Sequence, residues 1–170
     1  MKLGNRNRRA GFTLVEVLIV VVILGILAAT VLPQFTQASK DAKETSLVQN
    51  LQMMRHQISM YKFQHEGDLP AQSSTVEQTF IDHLTKRTDL DNTVNETSGK
   101  FGPYVLGQIP ANPYNNQRAV TVKDTALTAA DYAGSTTIGW VYSSKTGELR
   151  ASVAPTVTSV VETGKAVNTF

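Results

Sequence analysis

Three histidines, His56, His65 and His83, carry side chains suited to catalysis or metal binding, but their spacing matches neither use. His56 and His65 are nine residues apart, which places them about 180° apart on a continuous helix. Cysteine is absent, so thiolate zinc sites, disulfides and cysteine nucleophiles are excluded. No phosphate-binding glycine loop, nucleophile elbow or metalloprotease motif occurs. The sequence therefore predicts that the protein is not an enzyme.

One carboxylate, Glu16, is the only charged group in the apolar run from Phe12 to Leu32. As a helix rising about 1.5 Å per residue, this run would be roughly 31 Å long, enough to cross the hydrocarbon core of a membrane. A charge in such a span costs about 2.5–3.5 kcal/mol at the bilayer centre and less near an end, so it usually has a partner. The run is preceded by basic residues, namely Lys2, Arg6, Arg8 and Arg9. Because the net charge is only +2, this basicity is local and gives no general attraction to nucleic acid.

Two familiar kinds of segment could account for the apolar run. A cleaved secretory signal has an apolar core of about 7–15 residues followed by a small-x-small site. Here the run is longer, and the one candidate site, near Ala28-Ala29-Thr30, is followed by more apolar residues. A plain signal anchor, with its basic residues inside and its domain outside, explains everything except the details of residues 11–16.

Those details suggest a third interpretation. The string Gly11-Phe12-Thr13-Leu14-Val15-Glu16, between a basic leader and a long apolar helix, resembles the class III signal of type IV prepilins. The resemblance implies cleavage between Gly11 and Phe12 by prepilin peptidase on the cytoplasmic side, followed by N-methylation of Phe12. It also places Glu16 at the fifth position of the mature chain, where the family has its glutamate, and Pro33 where the family has a helix-kinking proline.

The new amino group of Phe12 would be a cation held at membrane depth. The Glu16 carboxylate of an adjacent subunit could neutralise it, which would remove two buried charges at once and set the axial stagger between subunits. Phe12 and Glu16 are therefore the predicted assembly residues.

Helical periodicity continues beyond Pro33. One apolar stripe, spaced by three and four residues, is formed by Leu47, Leu51, Met54, Ile58 and Tyr61. Pro33 removes one backbone hydrogen bond and should kink the helix without ending it. The sequence from His65 to Pro70 predicts a helix stop at Gly67. One long helix from Phe12 to about Glu66 is expected.

A short second helix is predicted by Ser74 and Glu77, which have the spacing of a capping box, and by apolar residues at every fourth position, namely Val76, Phe80 and Leu84. The following segment, from Thr88 to Lys100, is polar and aperiodic, so a loop is expected. Its acidic and amide residues hint at calcium, but Val94 and Asn95 stand where an EF-hand needs glycine.

Strand signals occupy the C-terminal third. Two alternating runs, one containing Trp140 and Tyr142 and the other Leu149 and Ala151, flank a turn ending at Gly147, which predicts a β-hairpin. Tyr61, Trp140 and Tyr142 are predicted core residues. Two prolines, Pro110 and Pro113, predict an irregular loop ahead of the hairpin.

That Pro-x-Asn-Pro-aromatic turn, followed by Gly-Trp-Val-Tyr at residues 139–142, resembles the major pseudopilins of type II secretion. Those proteins commonly end in a calcium loop rich in glycine and aspartate, so the resemblance makes calcium a candidate cofactor. Residues 151–170 contain Glu162 as their only acid. No cofactor or metal site is therefore assigned.

The expected fold class is α+β, a type IV pilin-like fold in which a long N-terminal transmembrane and spine α-helix packs on a small antiparallel β-sheet. The chain should comprise a cleaved leader (1–11), a transmembrane and assembly helix (12–32), its amphipathic continuation (33–66), a globular domain (67–152) and a C-terminal tail (153–170).

The resemblance implies a structural subunit of a type II secretion pseudopilus, which drives protein export across the outer membrane. The alternative is a type IV pilus subunit for adhesion, motility or DNA uptake. The implied partners are further copies of the chain, minor pseudopilins, prepilin peptidase, the inner-membrane assembly platform and membrane lipid. Nucleic acid would be a partner only of a DNA-uptake pilus. The implied location is the bacterial inner membrane, in a single pass with the leader cytoplasmic and the domain periplasmic, from which subunits enter a periplasmic or surface filament.

Overall fold

A computed structural model describes residues 11–160 and 165–170. The first ten residues of the predicted leader and Glu162 lie outside this part of the chain. The backbone divides into two compact units, residues 1–39 and residues 40–170. The predicted α+β class is confirmed, since a long N-terminal helix is combined with a three-stranded sheet.

The first helix, α1, spans Leu14–Gln64, close to the predicted range. In the first unit its large apolar side chains are exposed on every side. Pro33 lies inside the helix, and the helix continues through it, as predicted. The Thr36 hydroxyl donates a hydrogen bond to the Leu32 carbonyl oxygen at 3.0 Å. The predicted kink at Pro33 stays a prediction.

In the second unit, α1 contributes one wall of the hydrophobic core. The five stripe residues are buried as predicted: Leu47, Leu51, Met54, Ile58 and Tyr61. All but Tyr61 belong to the same apolar cluster as Trp140, Tyr142 and Leu149 of the sheet. Gly67, at φ +108°, follows the helix, and its amide donates to the Lys62 carbonyl oxygen at 2.9 Å. The predicted helix stop is therefore confirmed.

The second helix, α2, spans Glu77–Thr85, but the predicted capping box is wrong. Val76 occupies the N-cap position, and the Ser74 hydroxyl accepts from the Val76 amide instead, at 3.1 Å. The Glu77 carboxylate accepts from the Val120 amide at 2.8 Å. The Glu77 carboxylate therefore accepts from a backbone amide distant in sequence and not from the start of its own helix, as a capping box would require.

The sheet contains β1 (Val120–Lys123), β2 (Trp140–Ser143) and β3 (Leu149–Ala151) in that order. The predicted hairpin is confirmed, because β2 and β3 are antiparallel. The predicted all-antiparallel sheet is wrong, because β1 pairs with β2 in parallel. Sequence patterning missed β1, which is four residues long and is not joined to β2 by a tight turn.

The predicted irregular loop lies at residues 110–117, where Asn112 is fully buried. Its side-chain amide donates to the Gly139 and Ser152 carbonyl oxygens at 2.8 and 3.2 Å. The Trp140 indole donates to the Pro110 carbonyl oxygen at 2.8 Å. The loop therefore closes one end of the core.

The segment predicted as a tail, residues 153–170, contributes buried side chains to the core as well as exposed ones. Val153 and Val167 are buried core residues, and Thr158 and Ala166 form an isolated antiparallel bridge. A short 3-10 helix spans Val167–Thr169. Within residues 40–170, this segment belongs to the same compact unit as the sheet.

Candidate functional site

The Glu16 carboxylate lies in the first turn of α1, where it forms a reciprocal cap with Thr13. Its Oε2 accepts from the Thr13 amide at 2.8 Å and from the Thr13 hydroxyl at 2.9 Å. The Thr13 hydroxyl oxygen accepts from the Glu16 amide at 3.2 Å. This is a capping box, which satisfies amide donors at a helix start. The Thr-x-x-Glu spacing of residues 13–16 is the sequence signal that predicts such a cap.

The predicted cleavage point lies immediately before this cap. Gly11 and Phe12 precede the first helical residue, and Phe12 is 89% exposed. A methyl group added at Gly11 would meet no atom within 4 Å. Processing at Gly11 and Phe12 stays a prediction. So does the pairing of Glu16 with the Phe12 amine, because that contact joins two copies of the chain.

The N-terminal part of α1 has a continuous exposed apolar surface. From Leu14 to Leu32, the large apolar side chains are between 41% and 83% exposed. The helix contains a stretch long and apolar enough to cross a membrane. A helix that is apolar on all sides requires lipid or other helices around it. The capping box, with its single carboxylate, lies at the start of this surface.

The structure brings two of the three histidines together around Tyr61, a pairing that the sequence did not predict. The His65 ring stacks on the Tyr61 ring with centroids 3.8 Å apart. His65 Nε2 lies 2.9 Å from the Thr88 hydroxyl, and His83 Nδ1 lies 3.0 Å from the Tyr61 hydroxyl. The Tyr61 hydroxyl donates to Asn92 Oδ1 at 2.7 Å. The cluster is buried and hydrogen-bonded, as a structural network is, whereas His56 is exposed.

The protonation state of His83 follows from its contacts. The Ala71 amide donates to His83 Nδ1 at 3.1 Å, so this nitrogen carries a lone pair and the neutral ring holds its proton on Nε2. Burial, and secondarily the nearby His65, lower the pKa of His83, against a smaller opposing effect of Asp82. Protonating Nδ1 would set two N–H groups against each other inside the core.

This arrangement predicts that acid weakens the globular unit. In the unfolded chain His83 would titrate near its ordinary pKa of about 6.5, while in the folded chain its pKa is lower. Below about pH 6.5 the unfolded state binds more protons, so stability falls by at most about 1.4 kcal/mol per pH unit for this one proton. His83→Gln should flatten the dependence measured by urea unfolding between pH 7 and pH 5. His56→Gln, at the exposed histidine, is the control and should leave the slope unchanged. An unchanged slope in His83→Gln would contradict the assignment.

The calcium implied by the resemblance does not fit the residues present. Among residues 11–160 and 165–170, no three histidine, aspartate or glutamate side chains lie together as a metal site would need. Residues 151–170 contain a single acid, Glu162. Calcium in proteins takes about 6–8 oxygen ligands, with carboxylates prominent among them.

Comparisons with known proteins agree with the motif and the fold. The family described as the prokaryotic N-terminal methylation motif matches residues 6–32. The type II secretion system core protein G of Pseudomonas aeruginosa is 35% identical over 111 residues, covering 65% of this chain and 72% of that protein. The protein of the same name from Aeromonas hydrophila is 28% identical over 111 residues, covering 65% of this chain and 71% of that protein. A ComG operon protein 3 homolog from Bacillus licheniformis is 27% identical over 71 residues, covering 42% of this chain and 73% of that protein. No solved structure matches the chain.

The methylation motif, the exposed apolar helix and the small α+β domain together define a pilin-like filament subunit with a membrane anchor. The similarity to the Pseudomonas aeruginosa protein identifies which family of pilin-like subunits this is. This chain belongs to the family of type II secretion system core protein G, the major pseudopilins.

Proposed function

We propose that this protein is the structural subunit of a type II secretion pseudopilus and that it is made as a precursor cleaved after Gly11. The observation that carries the proposal is the position of the methylation motif. Its Gly11–Phe12 bond and its carboxylate, Glu16, lie at the start of an exposed apolar helix. The similarity to type II secretion core proteins supports this assembly over a type IV pilus.

The chemistry needed from this chain is assembly, not catalysis. Cleavage converts the amide nitrogen of Phe12 into an amine, and the Glu16 carboxylate of a neighbouring copy neutralises it. Opposite charges attract strongly where water is excluded. The pairing therefore fixes how far one helix is displaced along its neighbour, while the apolar surface of each helix packs on the others.

The same proposal specifies partners and location. Prepilin peptidase would remove the basic leader, and the inner-membrane assembly platform would add the mature subunit to a filament of further copies and minor pseudopilins. Before assembly the chain would cross the inner membrane once, with the leader cytoplasmic and residues 40–170 periplasmic. The positive charge that precedes the apolar run favours this orientation.

Substitution at Gly11 should block processing without disturbing the protomer. Gly11→Val should accumulate the uncleaved precursor in the membrane, because a bulky β-branched side chain limits the approach of the backbone to the peptidase. Gly25→Ala is the matched control, since an added methyl group there also meets nothing within 4 Å. Mass spectrometry should find N-methylated Phe12 at the mature terminus of the wild type and of Gly25→Ala. A mature terminus near Ala29 would instead indicate an ordinary secretory signal.

The assembly itself can be identified in cells. A strain lacking the gene should retain exported proteins in the periplasm, and a plasmid copy should restore their release. Gly11→Val should fail to restore it, whereas Gly25→Ala should succeed. Normal protein release combined with loss of motility or DNA uptake would instead identify a type IV pilus subunit.

A further inference from the structure

We propose that two side chains of α1, Glu44 and Arg55, hold the C-terminal segment in place and give this pseudopilin a globular unit that needs no calcium. The two residues and their contacts are called the Glu44–Arg55 attachment below. The proposal concerns residues 153–160 and 165–170, where the family resemblance implies a metal-held loop.

The first contact is a buried carboxylate. Glu44 is 1% exposed, and its Oε2 accepts from the Val160 amide at 2.6 Å. Its other oxygen, Oε1, accepts a hydrogen bond from the Ser159 hydroxyl. A carboxylate taken out of water is costly unless donors surround it. Glu44 therefore stabilises the backbone conformation that places the Ser159 hydroxyl and the Val160 amide against its carboxylate.

The second contact is a guanidinium group three turns along the same helix. Arg55 donates from Nε and Nη2 to the Leu149 carbonyl oxygen at 3.2 and 2.8 Å. The same Nη2 donates to the Phe170 carbonyl oxygen at 2.6 Å. Arg55 therefore ties the end of the described segment to both α1 and strand β3.

The two contacts act on one face of the helix. Residues 11 positions apart are separated by about 16 Å along a helix and by only about 20° around it. Between Glu44 and Arg55 lies a groove of about 400 Å³, lined by residues that include Val48, Leu51 and Phe170. The two polar contacts lie at the two ends of this groove and add to the apolar packing of Val153 and Val167 in the core.

This arrangement explains how the segment is ordered with so few acids. A calcium loop needs several oxygen ligands converging on one point, and residues 151–170 offer one carboxylate, that of Glu162. The helix instead presents an anion to the amide and hydroxyl donors of the segment and a cation to its carbonyl acceptors. Charge-assisted hydrogen bonds of this kind are stronger than neutral ones.

The test uses the detergent-solubilised full chain and calcium itself as the probe. Hydrogen–deuterium exchange at residues 157–160 and the midpoint of thermal unfolding should be the same in calcium chloride as in EDTA. Glu44→Gln should accelerate exchange at residues 157–160 by about 10-fold or more, the effect of losing one hydrogen bond to a charged group. Glu66→Gln, at an exposed glutamate beyond the end of α1, is the charge-matched control and should leave exchange unchanged.

A second pair of variants covers the other contact and guards against misfolding. Arg55→Gln should accelerate exchange at residues 165–170, and Lys62→Gln, at an exposed lysine, should not. If Glu44→Gln does not fold, Ser159→Ala removes one donor and leaves the helix intact, and it should still raise exchange at residues 157–160. Slower exchange or a higher melting point in calcium would overturn the proposal. Unchanged exchange in the folded Glu44 or Ser159 variants would overturn it as well.

Discussion

Replacing Glu16 with leucine should give a protein that enters the membrane normally and yields few or no filaments. The proposed cleavage after Gly11 would leave a cation on Phe12, and the neighbouring Glu16 carboxylate is the proposed counter-charge. A buried charge without its partner is strongly unfavourable, so the mutant subunits should fail to assemble or lose their stagger. Insertion should if anything improve, because a charge has left the span. The measurement is filament yield after shearing, set against total membrane-bound protein.

The capping box requires a control for this experiment, because leucine removes both a charge and a helix cap. Glu16→Gln retains a side-chain oxygen that can accept from the Thr13 amide and hydroxyl, but it carries no charge. If the charge is what matters, Glu16→Gln should lose filaments as Glu16→Leu does. Wild-type amounts of filament from Glu16→Gln would show that Glu16 acts through the cap. Wild-type amounts from Glu16→Leu would show that it does not set the register.

Truncating Leu51 should produce a large loss of stability in the globular unit. Leu51 is 1% exposed and lies in the cluster that contains Trp140 and Leu149. Leu51→Ala removes buried methyl groups and leaves a cavity, which costs about 2–5 kcal/mol in a well-packed core. Urea unfolding of a soluble fragment that begins after Pro33 would measure the change, since residues 40–170 form one compact unit.

The control for this substitution is the next residue along the helix. Gln52 is exposed, so Gln52→Ala changes the same helix without opening a cavity and should shift the free energy of unfolding little. Ile58→Ala, at a second buried stripe position, should resemble Leu51→Ala. Equal free energies of unfolding for Leu51→Ala and Gln52→Ala would mean that the stripe residues do not stabilise the hydrophobic core.

Strong periodic patterns in the sequence predicted the main elements well. The stripe at Leu47 and Leu51 required only helical spacing, and the hairpin of Trp140 and Leu149 required only alternation and a glycine turn. Both signals are local and repeat along the chain, and the tertiary contacts favour the same helix and the same hairpin. The α+β class and the buried aromatic residues followed from them.

Two Ser/Thr-x-x-Glu spacings near helix starts, one at residues 13–16 and one at residues 74–77, show where local reasoning fails. Ser74 and Glu77 have the spacing of a cap, but the Val120 amide of β1 takes the Glu77 carboxylate. Thr13 and Glu16 have the same spacing and do form a cap. The spacing alone could not separate these cases, because the deciding donor lies 43 residues from Glu77.

The parallel strand and the C-terminal segment were missed for related reasons. β1 is too short to show a period, and its pairing with β2 joins residues 20 apart, such as Val120 and Trp140. The segment after Val153 is held by core packing and by contacts with distant side chains of α1, including one from Glu44 to a residue 115 positions away. Such pairings leave no pattern in the local sequence.

The long separation between the helix stripe and its partners also determines when the protein can fold. Leu47 and Leu51 are synthesised well before Trp140, Tyr142 and Leu149, with which they share the core cluster. Contacts this distant along the chain form slowly, because a long loop must close before they are gained. The growing chain therefore carries an uncovered apolar stripe until the residues of the hairpin have been made.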